Sequence, residues 1–223
     1  MSASRQDAHD LRRGDSVLPA WVKEAGRAVL RPIVAAALAL RITANTVTVI
    51  GLFITCAAAV AITQGWLIAG ALILTFGSLL DAVDGALARA TGGGTPFGSF
   101  LDSTLDRAGE ALIYLGVAGY FLYTRDDATP VLLAIGALTG SFMVSYAHAR
   151  AQGIGLAASV GLAPRTERLV LIIAGIGIAG LGFVPGLIGS LVIISALTTL
   201  TVVQRIWHVW RLSQASLPGS KEV

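Results

Sequence analysis

Between residues 45 and 203 the chain is a succession of apolar runs, each close to the roughly 20 residues that a helix needs to cross a bilayer. Six can be delimited. The first covers 45–63, opened by the capping-type sequence Thr43-Ala44-Asn45-Thr46 and closed by Gln64-Gly65. The second covers 66–89, the third about 97–123 after the breaker Gly92-Gly93-Gly94-Thr95-Pro96, and the fourth about 130–149. The stretch 169–203 exceeds one span, and Gly182, Pro185 and Gly186 divide it into the fifth and sixth. Charged residues make up only 13% of the chain, against about 25% in ordinary soluble proteins. The pattern predicts an all-α integral membrane protein with six transmembrane helices in one domain, 42–212.

The flanks are different. Residues 1–18 are polar, lack an apolar h-region and are expected to form a cytosolic tail rather than a cleaved signal peptide. Residues 19–41 set Trp21, Lys23, Arg27 and Arg31 beside Val22, Ala28, Val29 and Leu30, which suits an N-terminal interfacial amphipathic helix, kinked or restarted at Pro32. Residues 213–223 form a short C-terminal tail. The single cysteine, Cys56, sits in an apolar run and cannot form an internal disulfide.

Basic residues give the orientation. Seven precede the first span, Arg89 and Arg107 lie near the second–third turn, Arg150, Arg165 and Arg168 near the fourth–fifth turn, and three follow the sixth run. Arg125 falls on the other side. This asymmetry predicts a multi-pass protein of the plasma membrane with both termini cytosolic. Because the positive charges are dispersed, the net charge of +3 reads as a topology signal, and no nucleic-acid partner is expected.

Against that apolar background stand four acids within 26 positions, Asp81, Asp84, Asp102 and Asp106. Ionisable groups at membrane depth are costly, so such a cluster is a candidate functional site. On a helix, Asp81, Asp84, Gly85, Ala88 and Arg89 form one stripe, and Gly98, Asp102 and Asp106 form a second. Two facing stripes would repel each other unless one or two divalent cations lay between them, in an oxygen-ligand site of the hard-metal kind. Gly85 and Ala88 leave room for a ligand against the helix, and Arg89 can make paired hydrogen bonds to phosphate oxygens. These acids fall on the same cytosolic side, where an active site is expected, and the glycine run 92–94 permits a tight turn with free N–H groups.

The complete pattern DxxDGxxARx8GxxxDxxxD resembles the signature of the CDP-alcohol phosphatidyltransferases, with all eight fixed positions filled. Three further segments resemble the inositol-phosphate branch of that family, the phosphatidylinositol phosphate and archaetidylinositol phosphate synthases. They are Leu101-Asp102-Ser103-Thr104-Leu105-Asp106-Arg107, Ser145-Tyr146-Ala147-His148-Ala149-Arg150 and Arg165-Thr166-Glu167-Arg168. The resemblance implies displacement of CMP from CDP-diacylglycerol by a phosphorylated polyol, inositol 1-phosphate in the first instance. It implies two Mg2+ ions (Mn2+ also serving) on Asp81, Asp84, Asp102 and Asp106, with Asp106 also the catalytic base. It assigns Asn45, Thr46, Val47, Thr48, Gly85, Arg89 and Thr95 to the CDP-diacylglycerol, and it implies a homodimer in membrane lipid. Ala44 stands where relatives often have proline, and His148 where the inositol branch carries lysine.

Ser145, His148, Arg150, Arg168 and Arg205 make a candidate trap for the acceptor phosphate at cytosolic span ends. Taken singly, Arg165 and Arg168 read equally as positive-inside residues, and His148 as a solvated polar group. Glu110, one turn beyond Asp106, reads as the partner of a nearby arginine rather than a fifth site acid. Two alternatives stay open at this point. A phosphatidylglycerophosphate synthase would use glycerol 3-phosphate, and a divalent-cation transporter would need acids reachable from both faces, where the outer side offers only Asp126 and Asp127.

Overall fold

The structure is a computed structural model and describes residues 32–158 and 160–215. The chain divides into two compact units, Met1–Ile42 and Thr43–Val223. In the first, residues 32–39 are helical. Arg41 takes a left-handed φ of 55° that ends this helix, and the Ile42 N–H donates back to the Ala37 carbonyl at 2.9 Å. The expected tail 1–18 and the greater part of the interfacial helix 19–41 lie outside the described residues.

The described residues of the second unit form six α-helices: α1 (Ala44–Thr63), α2 (Leu67–Ala90), α3 (Pro96–Gly119), α4 (Thr129–Gly153), α5 (Arg165–Gly180) and α6 (Val184–Ala215). There is no strand among the described residues, and a π-helical turn, Tyr120–Thr124, prolongs α3. Helix α6 continues through 213–215, residues that the sequence pattern assigns to the C-terminal tail.

Local chemistry explains the boundaries. Thr43 caps α1 by accepting from the Thr46 N–H at 3.2 Å, and Thr95 caps α3 by accepting from the Gly98 N–H at 2.9 Å, with Pro96 opening the helix. Between α2 and α3, Gly92 and Gly93 take φ of 96° and 97°, a region that side chains other than glycine enter at a cost.

Four helices, Ala44–Thr63, Leu67–Ala90, Thr129–Gly153 and Val184–Gln214, are long and apolar enough to cross a membrane. The other two differ for clear reasons. Helix α3 carries Asp102, Asp106 and Arg107 in its first half and Glu110 just beyond its middle. Helix α5 has 16 residues, about 24 Å at the α-helical rise and short of a hydrocarbon core of about 30 Å.

Helix α1 packs against both α2 and α3, α2 against α5, α3 against α4, and α6 against α4 and α5. The core is apolar, with Ile62, Leu74, Val117, Phe121, Ile172, Ile176, Leu187, Leu191 and Ile194 buried together. Large apolar side chains such as Phe53, Leu72, Phe76, Leu115 and Leu132 point outward, as lipid-facing residues do. Small residues set the closest approaches. A Cβ on Gly116 of α3 would stand 2.8 Å from the Ala59 carbonyl oxygen and 2.9 Å from the Ala59 Cα of α1. Backbone atoms cannot swing aside, so Gly116→Ala is expected to destabilise the bundle by about 1–3 kcal/mol. The readout is a lowered thermal unfolding midpoint in detergent.

Candidate active site

The start of α1 lies between the acid-bearing faces of α2 and α3. From α1, the Thr48 hydroxyl donates to Asp84 Oδ2 at 2.9 Å, and Asp84 is buried. The same hydroxyl lies 3.0 Å from the Ala44 carbonyl, so it is anchored to its own helix as well. On the α3 side, Gly98 leaves the space that Asn45 fills, since a Cβ there would come within 2.9 Å of Asn45 Oδ1. The absence of a side chain at this motif glycine lets a polar group of α1 lie flat against α3. On the α2 side Gly85 makes room for Arg89, whose Nη1 would be 3.4 Å from an added Cβ.

These residues line a groove of about 510 Å³ that includes Asn45, Thr48, Asp84, Gly85, Ala88, Arg89, Thr95 and Asp102. The turn residues Gly93 and Gly94 also line it. Thr46 and Val47, which the family resemblance assigns to the same ligand, are not among the lining residues. Thr46 faces outward with its hydroxyl 2.9 Å from that of Thr43, and Val47 is buried. Asn45 and Thr48 share a helix face at i and i+3, whereas the two positions between them rotate away.

A second pocket, of about 260 Å³, lies on the other side of Asp106. It gathers Ser145 and His148 from α4, Arg168 from α5 and Arg205 from α6, together with Arg107 and Arg165. Arg150 is exposed and does not line it. Ser145 and His148 stack at i and i+3, and a residue two further on points elsewhere.

The buried arginines also hold the pocket's wall. Arg168, only 1% exposed, donates from Nε and Nη2 to Glu110 at 2.8 and 3.0 Å and from Nη1 to the Ala163 carbonyl at 2.7 Å. Glu110 is thus the arginine partner expected from the sequence. Arg168 has five N–H groups, so two remain for a ligand. Arg205 donates to the Val160 carbonyl at 2.9 Å and also to the Val144 carbonyl. His148 Nδ1 lies 3.0 Å from the Ala158 carbonyl, which can only accept, so Nδ1 carries a hydrogen and Nε2 is left for other partners. Thr201 Oγ1 accepts from the Leu162 and Ala163 N–H groups. Ala158, Val160, Leu162 and Ala163, between α4 and α5, are therefore tied to the helices by Thr201 and by side chains that also line the pocket.

The sequence marks Arg165 as a topology residue and as the start of a segment resembling the inositol-phosphate branch, with no role of its own. In the structure its Nη2 lies 3.2 Å from Asp81 Oδ2 and its Nη1 2.9 Å from Asp106 Oδ2, joining α5 to acids of α2 and α3. The signals in the sequence are that resembling segment and its place a helical turn before Arg168. No three acid, histidine or cysteine side chains among the described residues are gathered round a single point. The donor set still fits a hard divalent cation. It is all carboxylate oxygen, and Asp106 lies within electrostatic reach of Asp81, Asp84 and Asp102.

Fold and site together define a helical, membrane-type protein with an acid-lined centre between a long groove and an arginine-rich pocket. Residues 41–210 match the sequence model of the CDP-alcohol phosphatidyltransferases, and the chain belongs to that family of transferases. It is 37% identical over 169 residues to the archaetidylinositol phosphate synthase of Methanothermobacter thermautotrophicus, covering 75% of this chain and 83% of that one. It also resembles the crystal structure of the Mycobacterium tuberculosis phosphatidylinositol phosphate synthase with CDP-DAG bound. The TM-score is 0.78 at 32% identity, over 87% of this chain and 98% of that one. The same mycobacterial enzyme in complex with manganese and citrate gives a TM-score of 0.77 at 32% identity, over 87% of this chain and 92% of that one. Family membership sets aside the cation-transport alternative.

Proposed function

We propose that this transferase moves the phosphatidyl group of CDP-diacylglycerol onto inositol 1-phosphate, giving phosphatidylinositol phosphate and CMP. The observation that carries this reading is the position of the acids between two unlike pockets. Asp84 and Asp102 border the long groove, and Asp106 borders the pocket in which four arginines face two carboxylates. That excess of positive charge suits a phosphorylated acceptor over a neutral one. The inositol relatives support the choice of polyol.

Two magnesium ions, with manganese able to serve, are assigned to Asp81, Asp84, Asp102 and Asp106. When bound they neutralise pyrophosphate oxygens and polarise the phosphorus under attack. The remaining work belongs to the chain. Arg89, Asn45 and the Gly94 N–H hold the nucleotide diphosphate in the groove, the Gly93 N–H being spent on the Ala88 carbonyl at 3.0 Å. Ser145, His148, Arg168 and Arg205 hold the acceptor phosphate, with Arg107 on the same wall. Asp106 takes the proton of the attacking hydroxyl. The new oxygen–phosphorus bond forms as the bond to CMP breaks, and CMP departs with the electron pair. Six membrane-embedded helices, both termini and the site on the cytosolic side of the plasma membrane, and a homodimeric assembly complete the proposal.

The test is CMP release by purified protein with magnesium, offered inositol 1-phosphate, glycerol 3-phosphate, free inositol and serine in parallel. Release with inositol 1-phosphate alone is expected. Release with glycerol 3-phosphate alone would keep the chemistry and replace the acceptor.

The groove gives a sharper prediction. In Gly98→Ala the added methyl displaces the Asn45 side chain, whose end can move, so folding should hold. The KM for CDP-diacylglycerol is expected to rise about five- to tenfold, the scale of one lost hydrogen bond. An unchanged KM would remove Asn45 from the nucleotide site.

A further inference from the structure

Four arginines line the acceptor pocket, and their partners differ. Arg168 is held by Glu110 and the Ala163 carbonyl, Arg205 by the Val144 and Val160 carbonyls, and Arg107 by the Ser103 carbonyl of its own helix. Arg165 alone among the four pairs with two of the acids assigned to the cations, Asp81 and Asp106. Its side chain is 40% exposed, so unlike the buried Arg168 it has room to turn. It borders both the cavity behind the acids, shared with Asp81 and Asp106, and the acceptor pocket, shared with Arg168 and Arg205.

We propose that Arg165 is a positioning residue that trades its two carboxylates for the acceptor phosphate when a divalent cation binds, coupling cation binding to acceptor affinity. The inference rests on the assignment of the four acids as cation ligands. A guanidinium spreads one positive charge over three nitrogens, whereas a magnesium or manganese ion concentrates two charges at a point. Asp81 and Asp106, if they held such an ion, would be drawn from the guanidinium, and Arg165 would be repelled from its present place. The pocket that Arg165 already lines is the neighbouring space where an anion can receive it. There the guanidinium can offer paired N–H groups to phosphate oxygens. Before the exchange Arg165 is neutralised by acids; after it, the pocket gains one uncommitted cation. By linkage the effect is reciprocal, so a phosphorylated acceptor must tighten the cation by the same factor, of the order of tenfold.

The test follows free Mn2+ by electron paramagnetic resonance during titration of the purified full-length protein in nanodiscs, with and without inositol 1-phosphate. Wild type, Arg165→Gln and Arg165→Lys are compared, with thermal unfolding as the check on folding. In wild type the acceptor is expected to lower the manganese Kd about tenfold. Arg165→Gln should bind manganese more tightly than wild type without acceptor, because the competitor is gone, and should show little further change when acceptor is added. Arg165→Lys, with one ammonium that cannot fork between two carboxylates, should fall between them. In turnover, Arg165→Gln should raise the acceptor KM more than it lowers kcat. Full wild-type coupling in Arg165→Gln, or in Arg165→Lys should the glutamine variant fail to fold, would overturn the exchange and leave the acids' assignment standing. No manganese binding by wild type would overturn that assignment, and the exchange with it.

Discussion

Asp106→Asn is expected to lower CMP release by about 10³-fold while the protein stays folded, since a positioned general base contributes roughly 10²–10⁴-fold by itself. The substitution keeps the side-chain shape and removes the negative charge. Two roles are lost together, proton acceptance and a share of cation binding, so the loss should fall in kcat and not in the KM for CDP-diacylglycerol. The geometry supports the choice of acid. Among the four, Asp106 is the one that borders the acceptor pocket, whereas Asp84 and Asp102 border the long groove. The substitution also gives up the charge of the 2.9 Å ion pair with Arg165. That pair is partly solvated and worth little to stability, so the unfolding free energy should change by less than about 1 kcal/mol. A variant with wild-type kcat would transfer the proton to another group.

Breaking the Arg168–Glu110 pair should have the largest effect on stability. Arg168 is 1% exposed and Glu110 11%, and both guanidinium-to-carboxylate bonds are short. Removing one partner strands a buried charge, which typically costs about 3–5 kcal/mol. Glu110→Ala is therefore expected to lower the unfolding midpoint sharply, and Arg168→Ala to do the same while also releasing the Ala163 carbonyl. Replacing both, as Glu110→Gln with Arg168→Met, should cost less than the sum of the single changes, because no charge is left unpaired. Glu110→Ala with an unchanged midpoint would contradict the structural role. The pair also orients the first turn of α5, so survivors of these substitutions should show a raised acceptor KM.

Most of the helix plan is legible in the sequence because glycine and proline mark its ends. Gln64-Gly65, the run Gly92 to Gly94 with Pro96, and Gly182 to Gly186 delimit helices that the structure draws within a few residues of the expected places. The two helices that do not qualify as spans by length and composition both give part of their length to charged site residues. Helix α3 gives its first half to charged residues, and α5 begins with Arg165-Thr166-Glu167-Arg168 before its apolar run.

Within the site, spacing along one helix is informative and relations between helices are not. The i, i+3 and i+4 stripes place Asp84, Gly85, Ala88 and Arg89 on one groove, and Ser145 with His148 on one pocket. Consecutive residues treated as a block, such as Asn45, Thr46, Val47 and Thr48, are separated by the helical rotation. That Glu110 meets an arginine follows from the cost of a lone buried acid, but which arginine depends on how α5 meets α3. Arg165 is hidden for the same reason. Its partners lie 84 and 59 positions away in sequence, and no local pattern points to them. The segment 154–164 carries no motif, yet its Ala158, Ala163 and Val160 carbonyls are held by His148, Arg168 and Arg205.

The most direct measurement is the mass of the lipid formed when purified wild-type protein receives CDP-diacylglycerol, magnesium and inositol 1-phosphate, with Asp106→Asn in parallel. The expected result is a phosphatidylinositol that retains its phosphomonoester, formed with one CMP per lipid and absent from the variant. A lipid lacking that phosphate, no lipid product from folded wild type, or equal product from both proteins would contradict transfer to a phosphorylated polyol at this acid-lined centre.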